Sequence, residues 1–320
     1  MPAISRKAPG KIILCGEHAV VFGAPAIALP VFQVYTRTGV MARPTAPQSE
    51  VRIIAPSVEV DSSLSTLTPE DPLRAAVELV MKELGIQSMP ACEIRISSTV
   101  PVAAGLGSSA SVTISLTRAL SDFLGHPLED EAVNRIAYEV EKIHHGTPSG
   151  IDNTVITYQV PVLFQKSSGL RRLKIAHEMT LVIADSGLQS STADAVAGVR
   201  QRWTANPDEY EESFKQIGEI SMRVAEILEK DPLTNYGYLL SENHQILCQL
   251  GVSSSWLDEL VTAALKAGAF GAKLSGGGIG GNIIALVTPD SAEAIAGELM
   301  AKGAVQTIIT TIPASTGTSL

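Results

Sequence analysis

An α+β fold in two domains is what this sequence predicts, on three observations. The chain is 320 residues long, beyond the size at which a single core keeps growing. Its first part is rich in apolar, alternating segments that read as strands. Its second part alternates short apolar strands with long helical patterns, as an α/β sandwich requires.

Residues 3–15 and 27–40 read as strands around a turn at Phe22-Gly23-Ala24-Pro25. Val51–Ala55 and Cys92–Ser98 continue the strand-rich region. Between them Asp71-Pro72-Leu73 opens a helix that runs to Leu84 and stops at Gly85, with Pro72 suited to the first turn. Helices follow at 109–124 and 129–144, and the Gly-Thr-Pro-Ser-Gly run 146–150 breaks the chain. Asp152 is then expected at the start of an apolar strand. Leu163-Phe164 and 170–173 read as a short hairpin, and Thr180–Asp185 as a short apolar strand. Helical patterns at 191–203, 207–230, 235–250 and 256–267 come next. Residues 272–275, a glycine run, a strand at 282–287, a helix at 291–302 and a strand at 305–312 complete the chain. The domain boundary is placed between residues 174 and 175, giving 1–174 and 175–320.

Apolar residues make up 45% and charged residues 18%, the balance of a packed chain rather than a disordered one. A net charge of −9 argues against a nucleic-acid surface built on bulk charge. The three cysteines, Cys15, Cys92 and Cys248, are far apart and form no CxxC pair. Two of them sit in strand-like runs, and a reducing, cytoplasmic setting is expected. Glu17 and His18 interrupt the first apolar stretch, and Gly23, Pro25 and Pro30 the next. Neither reads as a secretion signal or a membrane span.

Chemistry concentrates in a few segments. Pro101-Val102-Ala103-Ala104-Gly105-Leu106-Gly107-Ser108-Ser109-Ala110 falls between an alternating strand and a helical pattern. Glycines let successive N–H groups turn into one concavity, and the helix start adds unpaired donors. That is the make-up of a phosphate cradle, and equally of a tight strand-to-helix turn. Ser108 and Ser109 suit either a helix cap or a metal held by phosphate. Lys11 lies inside an apolar strand, where a lysine ordinarily reaches out to solvent. Glu17-His18 beside Gly16 reads as a capping arrangement or a substrate-binding pair. Glu141 falls near the C-terminal end of its helix, the end a carboxylate disfavours, and so becomes a candidate for holding a cation. Asp152, after a Pro-Ser-Gly turn, reads as an inner-rim carboxylate or an Asx turn. Adjacent His144 and His145 diverge around a helix and make a poor metal pair. Finally, residues 276–281 hold five glycines in six positions, an entropic cost that close approach of a ligand or another loop would justify.

Taken together these segments resemble the kinases of the galactokinase, homoserine kinase, mevalonate kinase and phosphomevalonate kinase (GHMP) superfamily. Its three motifs occur in order: Pro9-Gly10-Lys11 to Gly16-Glu17-His18, Pro101 to Ser109, and Lys273-Leu274-Ser275 to Gly281. Within the superfamily, Gly16–Gly23, His145–Asn153, Asp185-Ser186-Gly187 and Ser241–His244 resemble the mevalonate kinases most closely. The resemblance implies an N-terminal domain like domain 2 of ribosomal protein S5 and a C-terminal ferredoxin-like sandwich. It implies ATP-dependent, Mg²⁺-assisted phosphorylation of the 5-hydroxyl of (R)-mevalonate in the route to isoprenoids. By the same resemblance Asp152 is the catalytic base, with Lys11 beside it. Pro101, Ala104, Gly105, Leu106, Gly107, Ser108, Ser109 and Ala110 cradle the nucleotide. Ser109 and Glu141 hold the metal. Glu17, His18, Ser149 and Gly277 line the substrate side together with Lys11 and Asp152. Related diphosphomevalonate decarboxylases lack the lysine and homoserine kinases the aspartate, which favours mevalonate. Phosphomevalonate kinase, another small-molecule kinase of the superfamily, or a non-catalytic sensor are the alternatives. Relatives of this kind are commonly homodimers, and no membrane or nucleic-acid partner is implied. One departure stands out: Gly277 and Ile279 occupy places where the family more often has Ala and Gly, so an unusual loop path is expected at the β-branched Ile279.

Overall fold

The computed structural model describes residues 4–101, 104–145, 148–189, 191–230 and 236–315. Two compact units emerge, each assembled from separated stretches. The first comprises Met1–Gly10, Val34–Pro101 and Gly107–Gln159; the second comprises Lys11–Gln33, Val102–Leu106 and Val160–Leu320. The chain passes from one to the other inside two long strands, β1 (Ile4–Cys15) and β2 (Ala26–Ala42).

In the first unit, β3 (Val51–Ala55) and β4 (Val60–Ser63) form a hairpin. The α1 helix (Pro72–Glu83) then carries the chain to β5 (Cys92–Ser98), which pairs parallel to β3 and antiparallel to the C-terminal half of β2. A parallel pair needs a long crossover, and α1 is part of it. Asp71 caps that helix, its carboxylate accepting from the Leu73 and Arg74 N–H groups. Helices α2 (Ser108–Phe123) and α3 (Asp130–His145) follow. Ile53, Ile94, Ile96 and Val40 of the sheet pack with Val77, Val80, Leu116, Leu120, Ile136 and Val140 of the three helices.

The strand expected after residue 150 is a helix instead, α4 (Ile151–Tyr158). Thr154-Val155-Ile156-Thr157 is a β-branched run with strand propensity. Burial overrides it: Ile151, Val155 and Ile156 are fully covered, and Ile156 joins Ile114, Val133 and Ala137 of α2 and α3 in a second core. Gly150, with φ +87°, starts the helix.

In the second unit, the N-terminal end of β2 pairs with β6 (Val162–Gln165), which forms a hairpin with β7 (Gly169–Arg172). Next comes β8 (Met179–Asp185), then four helices: α5 (Thr192–Ala205), α6 (Pro207–Lys230), α7 (Gly237–Gln249) and α8 (Ser255–Lys266). Strands β9 (Gly271–Ser275) and β10 (Asn282–Val287), helix α9 (Pro289–Lys302) and strand β11 (Gln306–Ile312) end the fold. The sheet order is β11-β8-β10-β9, all antiparallel. That order, with helices after β8 and after β10, is the split βαβ arrangement of a ferredoxin-like sandwich. All six residues of β10 and all five of β9 are buried, as expected of strands covered by helices. No helix among the described residues is long and apolar enough to cross a membrane.

Candidate active site

The sequence-predicted site residues gather in two groups, one in each unit. In the first unit Gly107, in the left-handed conformation at φ +73°, delivers the chain into α2. It is the N-cap and supplies no side chain, so neither Ser108 nor Ser109 caps the helix. Ser108 is the first helical residue, and Ala110 is buried beneath the turn. Ser109 Oγ instead donates to Glu141 Oε1 at 2.6 Å. Glu141 is 4% exposed in the last part of α3, where the helix dipole does not favour it. A buried carboxylate in that place is held by its partners. The turn is anchored from below by Ser111, whose Oγ donates to Ala8 O and accepts from Thr36 N–H. Asp152 stands in the first turn of α4, the end a carboxylate favours. Ser149 Oγ accepts from the Ile151 N–H just before it. Pro101 is half-buried ahead of the loop. Val102 and Ala103 of the loop, and Gly146 and Thr147 ahead of Asp152, lie outside the described residues, as do the side chains of His144 and His145.

In the second unit the three glycine- and charge-bearing segments meet. Lys11, 4% exposed, donates its backbone N–H to Leu106 O at 2.9 Å. Gly105, at φ +75°, lies against Ser275 and Gly276, where a side chain would have only van der Waals room. The Asn282 amide donates to Ala104 O. Ser275 Oγ donates to Ile13 O at 2.8 Å, and His18 Nε2 donates to Gly277 O at 2.9 Å. The segment after His18 forms a short 3₁₀ helix, Ala19–Phe22, pinned to α6 by Phe22 stacked on Phe214 with ring centroids 4.3 Å apart.

His18 is 5% exposed and has backbone angles φ +59°, ψ −52°. Because a carbonyl only accepts, Nε2 carries the ring proton and Nδ1 keeps its lone pair. Nδ1 is buried and has no hydrogen-bond partner among the described residues. Burial pushes the imidazole down to about 4, with Lys273 and Arg202 adding to the shift against the Gly277 bond, so the ring is neutral at physiological pH. His18 is thus built as an acceptor of a hydroxyl hydrogen. Glu17, 1% exposed, pairs with Lys273, itself fully buried. Burial pushes the Glu17 carboxyl up and the Lys273 ammonium opposes that shift.

Residues 72–160 match the family model for the GHMP kinases N terminal domain, and residues 225–305 that for the GHMP kinases C terminal domain. This chain belongs to the GHMP kinase family. Among relatives, a mevalonate kinase of Pyrococcus horikoshii is 35% identical over 300 residues, covering 87% of each chain. One of Saccharolobus solfataricus is 30% identical over 289 residues, covering 88% of this chain and 90% of the relative. Among solved structures, L. major mevalonate kinase in complex with R-mevalonate superimposes with TM-score 0.84 at 31% identity, covering 97% of this chain and 96% of that one. The Methanococcus jannaschii mevalonate kinase gives TM-score 0.84 at 26% identity, covering 98% of this chain and 99% of that one.

The two departures in this GHMP kinase's third motif have distinct outcomes. A Cβ on Gly277 would lie 2.7 Å from Thr192 Oγ1 and 3.1 Å from Thr192 Cα. Thr192, at the start of α5, therefore accounts for glycine at 277. Ile279 adopts φ +62°, which a β-branched residue strongly disfavours, and its side chain is 45% exposed. Its N–H donates to Val252 O at 2.8 Å, and Gly281 N–H donates to Leu188 O at 2.8 Å. The loop is stapled in place despite the strain. Val252 in turn follows the α7 end that Arg202 clamps, Nη2 donating to Leu250 O at 2.8 Å and Gly251 O at 3.3 Å.

Sequence reasoning named Lys273, Thr192 and Arg202 but passed over the buried pair, the close approach and the clamp they make, whose partners are distant in sequence. It also passed over one close group of metal-ligand types, His244, Cys248 and Asp258. His244 Nδ1 accepts from Leu274 N–H at 3.3 Å, which leaves the proton on Nε2, 3.2 Å from Asp258 Oδ1. That tautomer points a hydrogen, not a lone pair, into the group. The three side chains serve as an anchor tying α7, α8 and β9 together.

Proposed function

We propose that this protein transfers the γ-phosphoryl group of ATP to the 5-hydroxyl of (R)-mevalonate, giving 5-phosphomevalonate. The observation that carries this reading is the similarity to mevalonate kinases over 87% of the chain in sequence and 97% in structure, among them a structure in complex with R-mevalonate. The residues of the two groups support it. Phosphoryl transfer asks a protein for positioning and charge neutralisation rather than covalent chemistry. Gly105, Leu106, Gly107 and the N-terminus of α2 offer backbone N–H groups to the nucleotide phosphates. Ser109 Oγ and Glu141 Oε1, hard oxygen donors 2.6 Å apart, have the chemistry Mg²⁺ takes. When bound there, the ion would neutralise phosphate charge. Asp152 accepts or orients the proton of the acceptor hydroxyl, with Lys11 supplying positive charge. His18, fixed as an acceptor, takes a hydrogen bond from a substrate hydroxyl. Ser149 and Gly277 shape the acceptor side, and Glu17 acts there through the backbone it holds. The 174/175 division is kept as our reading of the two domains, and the matched family segments fall on either side of it.

Coupled ADP release with mevalonate, phosphomevalonate, galactose and homoserine tests the reading. Magnesium-dependent turnover with mevalonate above the other three is expected. Turnover with another alcohol and none with mevalonate would overturn it.

A further inference from the structure

Three side-chain contacts tie segment 11–18 to segment 273–277. Ser275 Oγ bridges Ile13 O and N, at 2.8 and 3.3 Å, and His18 Nε2 reaches Gly277 O at 2.9 Å. The third is ionic: Lys273 Nζ donates to Glu17 Oε1 and to Leu274 O, with both side chains fully buried. Taking an ammonium and a carboxylate out of water costs several kcal/mol, and an apolar pair of the same volume often packs as well or better. Nor is the pair fully satisfied, since Glu17 Oε2 is buried with no hydrogen-bond partner among the described residues. Stability alone is a poor reason for this arrangement.

The next residue in the chain offers a better one. His18 holds φ +59°, ψ −52°, a conformation a non-glycine residue keeps only when its surroundings over-determine it. On the N-terminal side of His18 the Glu17 carboxylate is gripped by Lys273, and the imidazole is gripped by Gly277, four residues further along the same strand-and-loop segment. Those two grips set where the buried lone pair of Nδ1 points. We propose that Lys273 is a positioning residue for phosphoryl transfer, holding Glu17 so that His18 presents its free ring nitrogen to a hydroxyl of the acceptor substrate. This rests on the reading that His18 lines the acceptor side.

The test pairs the substitutions Glu17→Gln and Lys273→Met, which remove both charges and keep shape. The double variant leaves no unpaired buried charge, so its melting temperature should stay near that of the wild type. Its KM for mevalonate should nevertheless rise about 10- to 100-fold, the usual effect of losing a supporting partner, while KM for ATP changes by less than about threefold. A folded double variant with wild-type kcat and KM for mevalonate would overturn the proposal, leaving the pair merely structural. If the double variant does not fold, Lys273→Arg decides. It keeps the charge, but a planar fork cannot reproduce the compact ammonium's bonds to Glu17 and Leu274 O. The same selective rise in KM for mevalonate is expected, and an unchanged KM overturns the proposal. Wild-type turnover is measured first: if mevalonate is not the acceptor, the reading of function fails by itself, and the Lys273 effect is then read on the alcohol that is phosphorylated.

Discussion

Individual side chains in this protein are assigned by what their surroundings leave them able to do. His18 has one nitrogen spent on Gly277 O and the other buried with a lone pair, so it accepts. Glu141 sits where a helix end disfavours it and meets Ser109 Oγ. Asp152 occupies the first turn of α4 and follows a left-handed glycine. If Asp152 removes or orients the acceptor proton, Asp152→Asn should lower kcat by about 10²- to 10⁴-fold, the usual share of a general base. Affinity for ATP should hardly change, because the amide keeps shape and the nucleotide contacts are assigned elsewhere. Stopped-flow turnover alongside nucleotide binding separates the two; an unchanged kcat would remove Asp152 from that role.

At the scale of elements, the glycine-rich connection between β9 and β10 shows how a loop is specified by its neighbours. Each close approach belongs to a particular residue: Thr192 over Gly277, Val252 O over Gly278, and Leu188 O over Gly280. The strained Ile279 persists because its N–H is held by Val252. Gly277→Ala should therefore be harmful here. Its methyl meets Thr192 Oγ1 at 2.7 Å, an overpacking that typically costs about 1–3 kcal/mol. A lower melting temperature and a raised KM for the acceptor are expected, with recovery in Gly277→Ala/Thr192→Ala, which removes Oγ1. Equal melting temperatures for wild type and Gly277→Ala would show that the loop absorbs the methyl freely.

For the molecule as a whole, buried neutral histidines make stability depend on pH. His18 titrates at about 4 when folded, against the ordinary 6.5, and burial also lowers His244. Between those values the unfolded chain binds more protons than the folded one, so stability is full above pH 6.5 and falls as the pH drops toward 4. Melting temperatures recorded from pH 7.5 to 4.5 should decline, and His18→Gln should make that decline shallower. An identical slope in the variant would mean that His18 does not stay neutral in the fold.

Much of this architecture was legible in the chain. The α1 cap at Asp71, the alternating strand 92–98, the apolar strand 180–185, the glycine turns and the family motifs are local patterns, set by propensity, periodicity and capping chemistry within a few residues. The resemblance carried by Lys11, Gly105–Ser109 and Asp152 was equally a matter of short motifs. What the chain could not show by itself were outcomes of long-range burial. Thr154–Thr157 has the composition of a strand and is helical because Ile151, Val155 and Ile156 are buried, Ile156 in a core with residues of α2 and α3. Lys273 belongs to a family motif, but no local pattern announces that it is wholly buried against Glu17, 256 positions away. The two units likewise interleave along the chain, because β1 and β2 each run through both. Local physics determined the elements and the family; only tertiary packing, which brings together groups that sequence separates, decided which polar side chains are paired, which are strained and which keep a free acceptor.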